Sequence, residues 1–101
     1  MDLKLTGKVA LVTGAHTGIG FSICEELAVN GVHLVMVARR EPELILAAKK
    51  ISEKYGVSVL PIAGDVTDPK LPSLVVEQAE KVFQRIDLLV NNAGRAHAGT
   101  L

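Results

Sequence analysis

Apolar residues fall along this chain in short blocks with two different rhythms. Lys8-Val9-Ala10-Leu11-Val12-Thr13 is a nearly continuous apolar run, the pattern of a strand covered on both faces. Beyond the glycine-rich stretch Gly14–Gly20 the period lengthens. Ile19, Ile23, Leu27 and Ala28 recur at helical spacing and predict a helix over about 19–30 with these residues on one face, stopped by Asn30-Gly31. A second buried strand is predicted over Val32–Ala38. Pro42 suits the first position of the next helix, where its missing N–H has no intrahelical partner. That helix carries Leu44, Ala47, Ala48, Ile51 and Tyr55 inward and ends at Gly56. Val57–Ala63 reads as a third strand, and Pro61 within it requires a place at or near the sheet edge. A third helix is predicted over about Pro72–Gln84, through Val75, Ala79, Val82 and Phe83, followed by a fourth strand over Ile86–Val90.

Strands alternating with helices of this length imply parallel pairing through right-handed crossovers, an α/β class. The expected architecture is a partial doubly wound fold of four parallel strands, order 3-2-1-4, with three crossover helices. A ligand crevice then lies where the strand order reverses, between strands one and four. The first two helices cover one face of the sheet and the third covers the other only in part. Leu88-Leu89-Val90 is thereby left as an open edge, and self-association through it is expected. With 101 residues there is material for one compact unit, and a unit of this size is expected to be marginal alone.

Charge narrows the partners. Eleven basic residues balance eleven acidic ones, and Phe21, Tyr55 and Phe83 are the only aromatics, so nothing resembles the footprint of a nucleic-acid binder. The first residues lack the basic and apolar regions of an export signal, and no apolar run approaches the length of a bilayer span. Cys24 has no second cysteine to pair with and reads as a buried structural thiol, so a cytoplasmic protein is the default expectation. His16, His33, His97 and Cys24 are not at metal-ligand spacing, and no metal site is expected.

The stretch Thr13-Gly14-Ala15-His16-Thr17-Gly18-Ile19-Gly20 joins the first strand to the first helix. Glycines there allow a left-handed backbone, close approach to a pyrophosphate and tight helix–strand contact. The free N–H groups and dipole of the helix start favour phosphate charge. Gly14, His16, Thr17, Gly18, Ile19 and Gly20 are therefore candidate nucleotide contacts. The plain alternative is a tight turn with no ligand.

The spacing Gly-x-x-x-Gly-x-Gly after a threonine resembles the short-chain dehydrogenase/reductase family, as does the opening Gly7-Lys8-Val9-Ala10-Leu11-Val12-Thr13-Gly14. Asp65-Val66 after the third strand matches the place where the family contacts the adenine ring. Asn91-Asn92-Ala93-Gly94 matches the signature that stabilises the sheet beside the cofactor. These motifs span Lys8 to Gly94. The resemblance implies the N-terminal part of a single NAD(P)-binding Rossmann domain, with Asp65, Val66, Asn91, Ala93 and Gly94 added to the candidate contacts. It also implies hydride transfer between a nicotinamide and a carbonyl or alcohol, a small-molecule substrate for the full-length form.

Within this resemblance the end of the second strand, Val37-Ala38-Arg39-Arg40, decides between cofactors. NAD-preferring relatives carry an aspartate where Ala38 stands, and Arg39 suits a 2′-phosphate, so NADP is expected over NAD. The alternative reading of both arginines is as solvated helix-flanking charges. Thr17 stands where NADP-preferring relatives often carry a basic residue; His16 beside it is a partial substitute or a solvated loop histidine. Gln84 replaces the family's usual helix-ending glycine and suggests a blunter exit. Asp68 reads as a turn or helix-start residue. The family's catalytic serine and Tyr-x-x-x-Lys find no match: Tyr55, the only tyrosine, is followed by Gly-Val-Ser. No catalytic residue is assigned, and the chain alone is expected to be inactive. Three readings stay open: part of an NADP(H)-dependent oxidoreductase, a non-catalytic nucleotide-binding or interaction module, or the product of a truncated reading frame.

Overall fold

A computed structural model describes residues 4–92. In chain order the elements are β1 (Val9–Thr13), α1 (Gly18–Val29), β2 (His33–Ala38), α2 (Glu41–Tyr55), β3 (Val59–Ala63), α3 (Leu71–Phe83) and β4 (Leu88–Val90). The four strands form one parallel sheet in the order β3-β2-β1-β4. Register runs from Val9 opposite His33 to Thr13 opposite Val37, and from Ala10 opposite Leu88 to Val12 opposite Val90. The architecture is the expected Rossmann-like one, with strands one or two residues shorter than the apolar runs.

Side-chain alternation divides the core into two layers. Ala10, Val12, Leu34, Met36 and Ala38 face α1 and α2, where they meet Cys24, Ala28, Leu44, Ala48 and Ile51. Val9, Val35, Val37 and Ile62 face α3 and meet Leu71, Val75 and Ala79. Complete burial of side chains such as Leu34, Met36, Leu44 and Ile51 stabilises the fold by roughly 1.5–3 kcal/mol each. Helices on both sides bury β2 throughout, from Leu34 to Ala38. Strand β1 departs from its expected two-sided burial, because Leu11 is only half-buried. Its α3-side face opens into an apolar groove of about 330 Å³ bounded by Val37, Leu71, Val75, Val76 and Leu89. Leu89 itself is 67% exposed on the β4 edge.

Helix α1 is rotated from the expected orientation. Gly20, Cys24 and Ala28 face the sheet, while Ile19 is 72% exposed. The reason is steric: the smallest side chains sit where helix and strand approach most closely. Pro42 and Pro72 each occupy the second position of their helices, still within the first turn, where an N–H has no partner to lose. Gly31 and Gly56 supply left-handed exits from α1 and α2. The exit from α3 is as sharp as theirs, contrary to expectation. Gln84 adopts φ 65° and donates its N–H to the Glu80 carbonyl at 2.9 Å, so a non-glycine residue bears the left-handed strain. Pro61 lies on β3, an edge strand, where no outer neighbour requires its missing N–H.

Strand β4 is locked to β1 at its start by Asp87. The Val9 N–H donates to Asp87 Oδ2 at 2.8 Å, and the Asp87 N–H donates to the Val9 carbonyl at 2.8 Å. Arg85 Nη2 holds the other carboxylate oxygen at 2.8 Å. The Arg85 hydrogen bond, with that from Val9, keeps the Asp87 carboxyl below the usual carboxylate range.

Candidate nucleotide-binding site

Parallel pairing brings the C-terminal ends of all four strands to one rim, and the candidate residues gather there. The loop after β1 turns at Gly14 (φ 61°) and again at Gly18 (φ 58°), both left-handed. Between them Ala15 is buried and its N–H donates to the Val37 carbonyl at 3.3 Å, which pins the loop to β2. Gly20 permits the closest contact. A Cβ there would collide with the Gly14 carbonyl oxygen and lie 2.7 Å from Asn92 Nδ2. Thr17, at the helix N-cap, makes no capping hydrogen bond through its side chain, and no acidic residue lies in the first turn. The positive end of the α1 dipole therefore faces the loop without a compensating carboxylate in the helix's first turn.

Thr13 ties the two sides of the crevice together. Its Oγ1 donates to Asn91 Oδ1 at 3.0 Å and accepts the Asn92 N–H at 2.9 Å. Asn92 Nδ2 reaches back to the Gly14 carbonyl at 3.4 Å. Neither Thr13 nor Asn92 was singled out from the sequence as a contact, although both stand inside the motifs. The signal available was their adjacency to Gly14 and Asn91.

Beside this junction is a cavity of about 350 Å³. Gly14, His16 and Thr17 line it from the loop, Ala38, Arg39 and Arg40 from the end of β2, Gly64 and Val66 from beyond β3, and Asn92 from β4. Five expected contacts thus converge: Gly14, His16, Thr17, Arg39 and Val66. Asp65 stands at its margin, with Oδ2 3.7 Å from Arg39 Nη2. Asn91 lines the neighbouring apolar groove instead, with Val66 and Thr13. Gly18, Ile19 and Gly20 shape the loop and helix start without lining the cavity. Ala93, Gly94 and His97 lie outside the described residues.

Charge at the cavity is mainly positive. Arg39 is largely exposed, and Arg40 is loosely paired with Glu43 at 3.5 Å. Asp65 Oδ1 accepts both the Thr67 hydroxyl at 2.7 Å and the Thr67 N–H at 2.9 Å. These bonds, with the smaller influence of Arg39, hold its carboxyl below the usual range. His16 Nδ1 is buried and has no hydrogen-bond partner among the described residues, a polar atom left unsatisfied at the site. Ala38 at the strand end offers no carboxylate. The arrangement suits a phosphorylated nucleotide: glycines for close approach, a helix start, and guanidinium groups.

Tyr55, Cys24, His33 and Asp68 do not line the cavity. The Tyr55 hydroxyl donates to Glu25 at 3.1 Å, between the end of α2 and α1. Burial pushes the Cys24 thiol up to about 12, which keeps it inert. His33 stacks on Phe83 with ring centroids 5.9 Å apart and accepts the Ser58 N–H at 3.0 Å, a packing role. Asp68 caps the turn into α3 by accepting the Lys70 N–H at 2.9 Å. Among the described residues no cluster of three or more His, Cys, Asp or Glu is placed to hold a metal ion, and no helix is long and apolar enough to cross a membrane.

Residues 8–101, which include the glycine loop and the Thr13–Asn91 junction, match the short chain dehydrogenase family. The chain belongs to that family. Among curated relatives, the NADP-dependent 3-hydroxy acid dehydrogenase of Schizosaccharomyces pombe is 47% identical over 94 residues, covering 92% of this chain and 36% of the relative. The peroxisomal 2,4-dienoyl-CoA reductase of Danio rerio is 40% identical over 89 residues, covering 88% of this chain and 30% of its own length. The chain therefore spans about a third of the length of these relatives. Among solved structures, L-sorbose reductase from Gluconobacter frateurii, complexed with NADPH and L-sorbose, superposes with a TM-score of 0.92 at 44% identity. That match covers all of this chain and 38% of the reductase. An NAD+-bound xylitol dehydrogenase superposes with a TM-score of 0.85 at 35% identity, over 91% of this chain and 35% of the dehydrogenase.

Proposed function

We propose that this chain is the cofactor-binding part of an NADP(H)-dependent oxidoreductase that interconverts a carbonyl and an alcohol. The observation that carries the reading is the junction of Arg39 with the glycine loop around one cavity, at a strand end that presents Ala38 in place of a carboxylate. Gly14, Gly18 and Gly20 let the backbone approach the pyrophosphate, and the start of α1, through Thr17, Gly18 and Ile19, supplies N–H donors to it. Arg39 pairs with the 2′-phosphate, with His16 as an additional polar contact. Asp65 and Val66 flank the adenine. Asn91 borders the nicotinamide side, where Thr13 holds β1 and β4 together. When bound, the nicotinamide ring supplies or accepts the hydride.

A name that includes NADP in one relative and NADPH in one solved neighbour supports the cofactor preference. Tyr55, the sequence's single tyrosine, does not line the cavity, which supports reading the chain as the cofactor-binding part. Calorimetric titration of the full chain with NADPH and NADH tests the reading. NADPH is expected to bind at least about tenfold tighter, a difference of about 1.4 kcal/mol, and Arg39→Ala to abolish most of that margin. Equal affinities, or a preference for NADH, would overturn it.

A second reading, pairing with another copy of the chain, rests on the exposed Leu89 and the apolar groove beside α3. Light scattering after size-exclusion chromatography checks it, and a monodisperse monomer at tens of micromolar would rule it out.

A further inference from the structure

Asp65 presents its two oxygens to different partners. Oδ1 is occupied by the Thr67 hydroxyl and N–H, which fixes the carboxylate plane. Oδ2 is left to face Arg39 Nη2 at 3.7 Å. The backbone on either side is held as well, because the Gly64 N–H donates to the Ala38 carbonyl at 2.9 Å and keeps the ends of β2 and β3 in register. The Arg39 side chain is the adjustable member of the pair. At 3.7 Å, with the side chains 76% and 43% exposed, the contact is longer than a direct charge-assisted hydrogen bond and is easily exchanged.

We propose that Asp65 is a specificity-determining residue that competes with the cofactor 2′-phosphate for Arg39. A cofactor with a 2′-hydroxyl leaves the Arg39–Asp65 pair in place. A 2′-phosphate must draw the guanidinium off Asp65, and the vacated carboxylate then stands close to the incoming anion. Asp65 thus opposes the preference that Arg39 creates and limits its size. The competition acts through Arg39 alone and not through whatever Asp65 touches that both cofactors share. It rests on the NADP(H) reading above, and it makes Asp65 a positioning residue for Arg39.

Asp65→Asn removes the charge and retains an oxygen to accept both bonds from Thr67. NADPH and NADH are titrated into the full chain, its D65N and R39A variants, and the double variant. In the wild-type background D65N is expected to raise the NADPH-over-NADH affinity ratio about two- to fivefold, the range of an exposed ion pair. In the R39A background the ratio should not respond to D65N. The gain should also shrink as salt is raised, since the pair is screened. Asp65→Ser, which also removes the charge, serves if D65N fails to fold. An equal change for both cofactors would sink the proposal, as would an undiminished gain in the R39A background. Failure of the wild type to bind NADPH more tightly than NADH is a separate result, seen before any variant is made, and it refutes the underlying reading instead.

Discussion

Replacing Gly20 with alanine probes the crevice at its tightest point. The added methyl group would meet the Gly14 carbonyl oxygen well inside contact distance and would lie 2.7 Å from Asn92 Nδ2. The Asn92 amide can turn aside, but the Gly14 carbonyl cannot. Gly14 is at a left-handed turn whose successor, Ala15, is bonded to β2. Relief therefore requires α1 to retreat from the loop, which opens the contact of Cys24 and Ala28 with the sheet. Overpacking of this kind costs about 1–3 kcal/mol, and a backbone obstacle places Gly20→Ala at or above the upper end. A domain of this size has only about 5–15 kcal/mol in total, so the loss is a large fraction. Gly18→Ala is the matched control. It has open space around its Cβ but a φ of +58°, so about 1–2 kcal/mol of backbone strain is its only penalty. Urea unfolding should rank wild type above Gly18→Ala above Gly20→Ala, and NADPH titration should show Gly20→Ala to be the poorer binder of the two. A Gly20→Ala chain as stable as the wild type would refute the close-contact argument.

Three further perturbations follow from described contacts. Gln84→Gly should stabilise the chain by about 0.5–1 kcal/mol, because it relieves a non-glycine residue at φ 65°, and a rise of several degrees in Tm would register it. Thr13→Val keeps the shape but removes the acceptor for the Asn92 N–H and the donor to Asn91; it should cost about 1–3 kcal/mol and weaken cofactor binding, read by the same two assays. Asp87 has a folded pKa below its unfolded value, so its contribution is fully present above the unfolded pKa near 4 and is lost as pH falls through the lower folded value. Unfolding midpoints measured on descending from about pH 5 should therefore drop more steeply for the wild type than for Asp87→Asn, which is already weakened at neutral pH.

How far the sequence could be read depended on the range of the interactions involved. Strand β2 was plain because coverage on both faces leaves an unbroken apolar run from Leu34 to Ala38. Pro61 forecast an edge strand correctly, since the lack of an N–H is a property of the residue and not of its surroundings. The facing of α1 was misread because hydrophobicity favours Ile19, whereas close approach to the sheet favours Gly20, one residue and about 100° around the helix. The blunt exit expected at Gln84 failed for a related reason: a single residue can be forced into a left-handed turn by the strand that follows. At the site, the family resemblance pointed to the loop, Arg39 and Val66, and residues of all three line one cavity. The Thr13 bridge joins residues 78 positions apart, and the Asp65 pair joins two strand ends; neither leaves a local mark on the chain.

The pairing of β1 with β4 also bears on how the sheet is put together. Neighbouring partners such as Ser58 and His33 are 25 residues apart, whereas Thr13 and Asn91 are separated by 78. Three strands can assemble through short crossovers before the fourth closes the longest loop, which makes its docking the entropically dearest step of the sheet. The three-stranded part supplies most of the cavity lining, and Asn92 closes it when β4 arrives. A nucleotide that touches both parts would act as a late clasp, favouring the finished sheet over its three-stranded precursor. Amide hydrogens of β4 should then exchange faster than those of β2 without cofactor and gain the most protection when it is added.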